Sequence, residues 1–133
     1  MLGRLPYTME DITEPKKCAF VLEDDDALRK LFTYVLEEES FEVKAYANAT
    51  SFKQSIRTQH PAIIIMDMIL PDGNGIDICH DLKADPETAQ IPIILLSAHS
   101  ELHILAKGCQ AEAYMPKPFD IHEFISSVEK FVN

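Results

Sequence analysis

The stretch Ala62-Ile-Ile-Ile-Met-Asp67 sets five consecutive apolar residues directly ahead of a carboxylate. A run this short, rich in β-branched side chains and lacking the two-residue alternation of a half-exposed strand, has the character of a strand covered on both faces. Such strands belong to parallel sheets with helices on each side. Pro71-Asp-Gly-Asn-Gly75, just downstream, supplies turn chemistry, with glycines able to take positive φ. Two more runs match the first, Cys18-Ala-Phe-Val-Leu22 and Ile91-Pro-Ile-Ile-Leu-Leu96. In chain order these are strands β1 (18–22), β3 (62–66) and β4 (91–96), the expected centre of the sheet. Phe41-Glu-Val-Lys-Ala45 alternates apolar with charged residues and so predicts an edge strand, β2 (41–45). Ala113-Tyr-Met115 is the other edge, β5 (113–115).

Between the strands, Leu28, Leu31, Phe32, Val35 and Leu36 fall on one face of a helix, α1 (28–36). Ile121, Phe124, Ile125, Val128 and Val132 form a similar stripe on α5 (121–132), opened by an Asp120…Glu123 pair of capping-box type. Helices α2 (49–58), α3 (75–84) and α4 (101–109) complete an alternating βα series. Right-handed crossovers then predict an α/β fold, a doubly wound five-stranded parallel sheet in the order 2-1-3-4-5, flavodoxin-like, flanked by five helices, with any site at the carboxyl ends of β1, β3 and β4.

The chain has 133 residues, enough for one domain with a real core, and 47% of them are apolar. No apolar stretch is long enough to span a bilayer, so no membrane association is expected. Residues 1–16 lack the apolar segment of a secretory signal and are expected to form a flexible arm or leader, with the domain occupying 17–133. Cys18, Cys79 and Cys109 are odd in number and form no C-x-x-C, which argues against a disulfide framework or zinc site and for a cytoplasmic setting. A formal charge of -10 disfavours nucleic acid as a partner. Phosphate chemistry on so acidic a chain needs a cation.

β1 runs into Glu23-Asp24-Asp25-Asp26 and β3 into Asp67, so both deliver carboxylates to one edge of the sheet. Clustered carboxylates repel, and hard oxygen ligands suit Mg²⁺. Asp25 or Asp26 is expected to cap α1, which leaves Glu23 and Asp24 for the metal. β4 leads to Ser97, a hydroxyl able to donate to a phosphoryl oxygen, and β5 leads to Lys117, a point charge suited to phosphate. Alone, each is ordinary turn or surface chemistry; their convergence on one crevice is the informative pattern.

Val21-Leu-Glu-Asp-Asp25 with Leu28-Arg29, Ile65-Met-Asp-Met-Ile-Leu-Pro-Asp-Gly-Asn-Gly75, Ile93-Ile-Leu-Leu-Ser-Ala98 and Ala113-Tyr-Met-Pro-Lys-Pro-Phe119, in this order, closely resemble the receiver domain of two-component response regulators, the CheY-like family. The resemblance covers residues 17–133. It implies that Asp67 is the phosphoacceptor, that Asp24 ligates Mg²⁺ directly and Glu23 mainly through water, and that the Ile69 backbone carbonyl joins the metal sphere. It further implies that Ser97 grips the phosphoryl group, Lys117 neutralises it, Tyr114 is the switch aromatic, and Lys117-Pro118 is a cis peptide. A plain edge-strand aromatic remains open for Tyr114. The implied partners are a sensor histidine kinase or histidine phosphotransfer protein, and a downstream protein target reading the α4-β5-α5 surface.

Lys117 follows Ser97 by 20 residues, fewer than is common in the family, which implies a shortened β4-α4 loop or α4. Ile69 and His99 are expected to flank the approach of a hydrolytic water. Because the chain ends just after α5, the expectation is a free-standing receiver or the receiver part of a larger regulator or hybrid kinase. A haloacid-dehalogenase-type phosphatase would need an Asp where Ile69 stands, and a flavodoxin-like FMN protein would need Ser, Thr and Gly where the acidic run lies.

Overall fold

A computed structural model of the chain describes residues 16–98 and 109–132. The expected arm at 1–16 falls almost wholly outside the described residues, as do His99 and nearly all of the expected α4. The described chain runs β1 (Cys18–Leu22), α1 (Asp26–Glu38), β2 (Glu42–Tyr46), α2 (Ala49–Ile56), β3 (Ile63–Asp67), α3 (Gly75–Ala84), β4 (Ile93–Ser97), β5 (Ala113–Pro116) and α5 (Ile121–Val132). All four pairings in the main sheet are parallel and the strand order is β2-β1-β3-β4-β5, as expected. Every carboxyl end therefore lies along one edge. An additional two-residue antiparallel pair, Ile69–Leu70 with Gly73–Asn74, was not anticipated from the turn-rich sequence.

The central strands are buried on both faces, and alternate residues feed two separate cores. Phe20, Leu22, Ile64, Met66 and Leu95 pack under α2 and α3 through Phe52, Ile78 and Leu82. Val21, Ile63, Ile65 and Leu96 pack under α1 and α5 through Phe32, Leu36, Phe124 and Val128. Phe32 stacks on Phe119 with ring centroids 5.5 Å apart and meets Phe124 at 4.9 Å, so one aromatic group joins α1, α5 and the segment after Lys117. The edge strand β2 differs from expectation on its charged side. Lys44 is half-buried and donates to Gln59 Oε1 at 3.0 Å, so that face is partly covered instead of fully solvated.

Helix starts follow local chemistry. Asp25 caps α1 by accepting from Leu28 N at 2.9 Å, Asn48 caps α2 by accepting from Ser51 N at 2.9 Å, and Asn74 caps α3 by accepting from Ile76 N at 2.7 Å. Asp120 accepts from His122 N at 2.6 Å and from Glu123 N at 3.3 Å at the start of α5. Among the described residues no helix is long and apolar enough to cross a membrane.

Candidate functional site

Glu23 extends β1 by one rung, its N–H donating to Tyr46 O at 3.0 Å, and this draws its side chain into the sheet edge, where it is 1% exposed. A buried carboxylate needs partners. Glu23 Oε2 accepts from Asp25 N at 3.1 Å and Oε1 from Lys117 Nζ at 2.9 Å. The same ammonium reaches Asp67 Oδ2 at 3.2 Å. Lys117 arrives there because β5 is parallel to β4 and its backbone N–H continues the ladder to Ser97 O at 2.7 Å. Lys117-Pro118 is cis, as the resemblance implied.

Carboxylate oxygens of Glu23, Asp24 and Asp67 lie within 4.8 Å of one another. Three carboxylates against one ammonium leave an excess of negative charge, and the donors are all hard oxygens, so the set fits a Mg²⁺ ion. Burial is the largest influence on Glu23 and pushes its pKa up to about 7, with the charge of Asp67 adding to the rise and the bonds from Lys117 and Asp25 opposing it. Burial works against the charge on Lys117, yet Glu23 and Asp67 together hold its pKa above the ordinary value.

Ser97 is 1% exposed at the end of β4, one residue beyond Leu96, the register partner of Asp67. Ile69 places its side chain in solvent, 55% exposed, while its N–H donates to Asp67 Oδ1 at 3.4 Å. Tyr114 lies on β5, three residues before Lys117. Its half-buried ring packs against the core under α2 and α3, and burial followed by the neighbouring Cys109 and Cys79 raises its hydroxyl pKa.

Two contributors had no assigned role in the sequence reading. Arg29 donates to Glu23 O at 2.9 Å and Asp24 O at 3.4 Å and pairs with Asp26, bracing the acidic loop from the first turns of α1. Its i, i+3 spacing from Asp26 was the available signal. Asp72 is the other: its carboxylate accepts from Ala49 and Thr50 at the start of α2, and nothing local in the sequence distinguishes it from a solvated turn residue.

The family model for the response regulator receiver domain matches residues 19–129. The chain belongs to this family. The receiver is 35% identical over 111 residues to the phosphate regulon transcriptional regulatory protein PhoB of Rhizobium meliloti, an alignment covering 82% of this chain and 49% of the relative. It thus spans about half the length of that curated relative. In fold it is similar to the signal receiver domain of a signal transduction histidine kinase from Syntrophus aciditrophicus, with a TM-score of 0.81 at 24% identity, covering 87% of this chain and 89% of the other. It is also similar to the receiver domain of the sensor histidine kinase PA1611 of Pseudomonas aeruginosa, solved with a magnesium ion in its active-site cleft, with a TM-score of 0.79 at 20% identity and coverage of 88% and 98%. The receiver acts in phosphorylation-based signalling, and a relative named as a DNA-binding response regulator, MtrA of Mycobacterium tuberculosis, is matched over only 47% of its own length.

Proposed function

We propose that this receiver takes up a phosphoryl group on Asp67 from a phosphohistidine of a sensor histidine kinase or histidine phosphotransfer protein, or from a small phosphodonor. The observation that carries this reading is the bridge from Lys117 Nζ to both Asp67 and the buried Glu23. Lys117 is thereby held beside the carboxylate where charge builds as an Asp67 oxygen attacks phosphorus and the donor imidazole leaves. Glu23, Asp24, Asp67 and the Ile69 carbonyl would hold Mg²⁺, which supplies charge neutralisation for the phosphoryl oxygens. Ser97 grips a phosphoryl oxygen, and the exposed Ile69 side chain, with His99, tunes the access of water and hence the lifetime of the acyl phosphate.

The phosphorylated state then biases a two-state equilibrium in which Ser97 and Tyr114 move inward and the α4-β5-α5 surface changes for a downstream protein partner. The domain promotes its own phosphorylation and dephosphorylation, and we place it in the cytoplasm, consistent with its free thiols. Incubated with acetyl phosphate and Mg²⁺, the wild-type chain gains the mass of one phosphoryl group, and Asp67→Asn gains none. Stoichiometric labelling of Asp67→Asn overturns the assignment.

A further inference from the structure

The segment between β3 and α3 carries Ile69 past the acceptor, yet its only regular structure is the two-residue pair of Ile69–Leu70 with Gly73–Asn74. Two pairs of residues are far too few to hold a hairpin by themselves. Its geometry must come from attachments elsewhere. One lies at the C-terminal end, where Gly75 N donates to Met68 O at 2.7 Å and any Cβ at Gly75 would collide with the Asp67 carbonyl. Asn74 adds the α3 cap at the same end.

Met68 and Leu70, on either side of Ile69, are anchored by burial in the core under α2 and α3, and the attachment at the hairpin's tip is the side chain of Asp72. Its Oδ1 accepts from Ala49 N at 2.7 Å, and its Oδ2 accepts from Thr50 N at 3.0 Å and from Thr50 Oγ1 at 2.6 Å. These partners are 22 and 23 residues away, in the first turn of α2. Asn48 already caps that helix through Ser51, and Asp72 accepts from the two first-turn N–H groups that this cap leaves open. The bonds of Thr50 and Ala49 keep the Asp72 carboxyl below its usual range, so it is the anion that makes the attachment. Gly73 lies close enough to α2 that an added Cβ would stand 3.1 Å from Ala49 Cβ, which leaves the hairpin tip seated against the helix.

We propose that Asp72 is a positioning residue for the phosphoacceptor site: by clamping the hairpin tip to the N-terminus of α2, it fixes the Ile69 backbone beside the Asp67 carboxylate. The Ile69 N–H already contacts Asp67 Oδ1 at 3.4 Å, so a shift of this backbone is felt at the carboxylate. The proposal rests on the reading of Asp67 as acceptor and of Ile69 as a backbone contributor to the metal sphere, and it adds a residue from outside that set. Rigid support of this kind governs metal affinity, because a ligand free to wander loses entropy on each binding event.

Mg²⁺ affinity by calorimetry and amide hydrogen exchange by mass spectrometry, on the full chain, test the clamp. Asp72→Ala weakens Mg²⁺ binding on the order of tenfold and accelerates exchange at residues 69–75, whereas Asp72→Asn, which keeps one acceptor, gives a smaller effect of the same sign. Asn48→Ala is the control for loss of an α2 cap alone, and it lowers thermal stability while leaving Mg²⁺ affinity near wild type. Wild-type Mg²⁺ affinity and exchange in Asp72→Ala would overturn the proposal, and should that variant fail to fold, Asp72→Asn decides by the same readings. If the wild-type chain binds Mg²⁺ but takes no phosphoryl group on Asp67, the proposed function fails while the clamp is still decided by affinity and exchange; absence of Mg²⁺ binding by the wild type overturns both.

Discussion

Because Glu23 is buried against Lys117 with its pKa raised from 4.5 to about 7, the folded chain holds a proton that the unfolded chain releases between those values. The sign follows directly: over that range the native state binds more protons, so stability without metal falls as pH rises from about 4.5 through 7. Lys117 does not offset this, since its own raised pKa confers stability that is lost only above the ordinary lysine value of 10.5. With Glu23 in the proposed metal set, Mg²⁺ affinity is expected to move the opposite way, weakening about tenfold per unit well below pH ~7. Thermal unfolding and calorimetric titration across this range measure both trends. In Glu23→Gln the metal-free slope flattens, and Mg²⁺ binding loses the pH dependence along with most of its strength. A slope unchanged in Glu23→Gln would show that another group titrates.

The helices and strands are held less by propensity than by what they cover. α1 was legible from its apolar stripe, and Asp25 proved to be its cap, one of the two acids the run offered. Its central residue, Phe32, is fully buried against Phe119 and Phe124, so α1 is bonded through one ring both to α5 and to the segment leaving Lys117. Phe32→Ala is expected to cost about 3–5 kcal/mol, read as a lower urea midpoint. The loss should also shift Lys117 and so reduce the phosphorylation rate; a stability loss below about 1 kcal/mol would mean that the cavity collapses or that the ring contributes little.

Two cores lie on opposite faces of one sheet and share only its strands, so the molecule unfolds as a unit when the sheet is lost. Glu23, Asp24 and Asp67 come from two of those strands, which makes a bound ion a tie across the sheet edge. A ligand that binds only the folded chain stabilises it by about 2.7 kcal/mol at a hundredfold excess over Kd. Saturating Mg²⁺ should therefore raise the urea midpoint by the corresponding amount with an unchanged slope. In Asp24→Asn the shift largely disappears, and a shift of wild-type size in that variant would remove Asp24 from the metal set.

The amino-acid sequence by itself determined the central strands, an acidic cap for α1 and for α5, and the acids at the strand ends, because burial and capping leave their mark on neighbouring residues. The apolar runs of β1, β3 and β4 and the stripe of α1 are such marks. Tertiary structure alone decided which side chains meet. Lys117 finds Glu23 across 94 residues and Asp67 across 50, and Asp72 finds α2 across 22. Lys44, written as a solvent-facing charge by its alternation, is covered by Gln59 for the same reason. Contacts of this kind depend on strand order and on the reach of flexible side chains, and neither has a period that can be read along the chain.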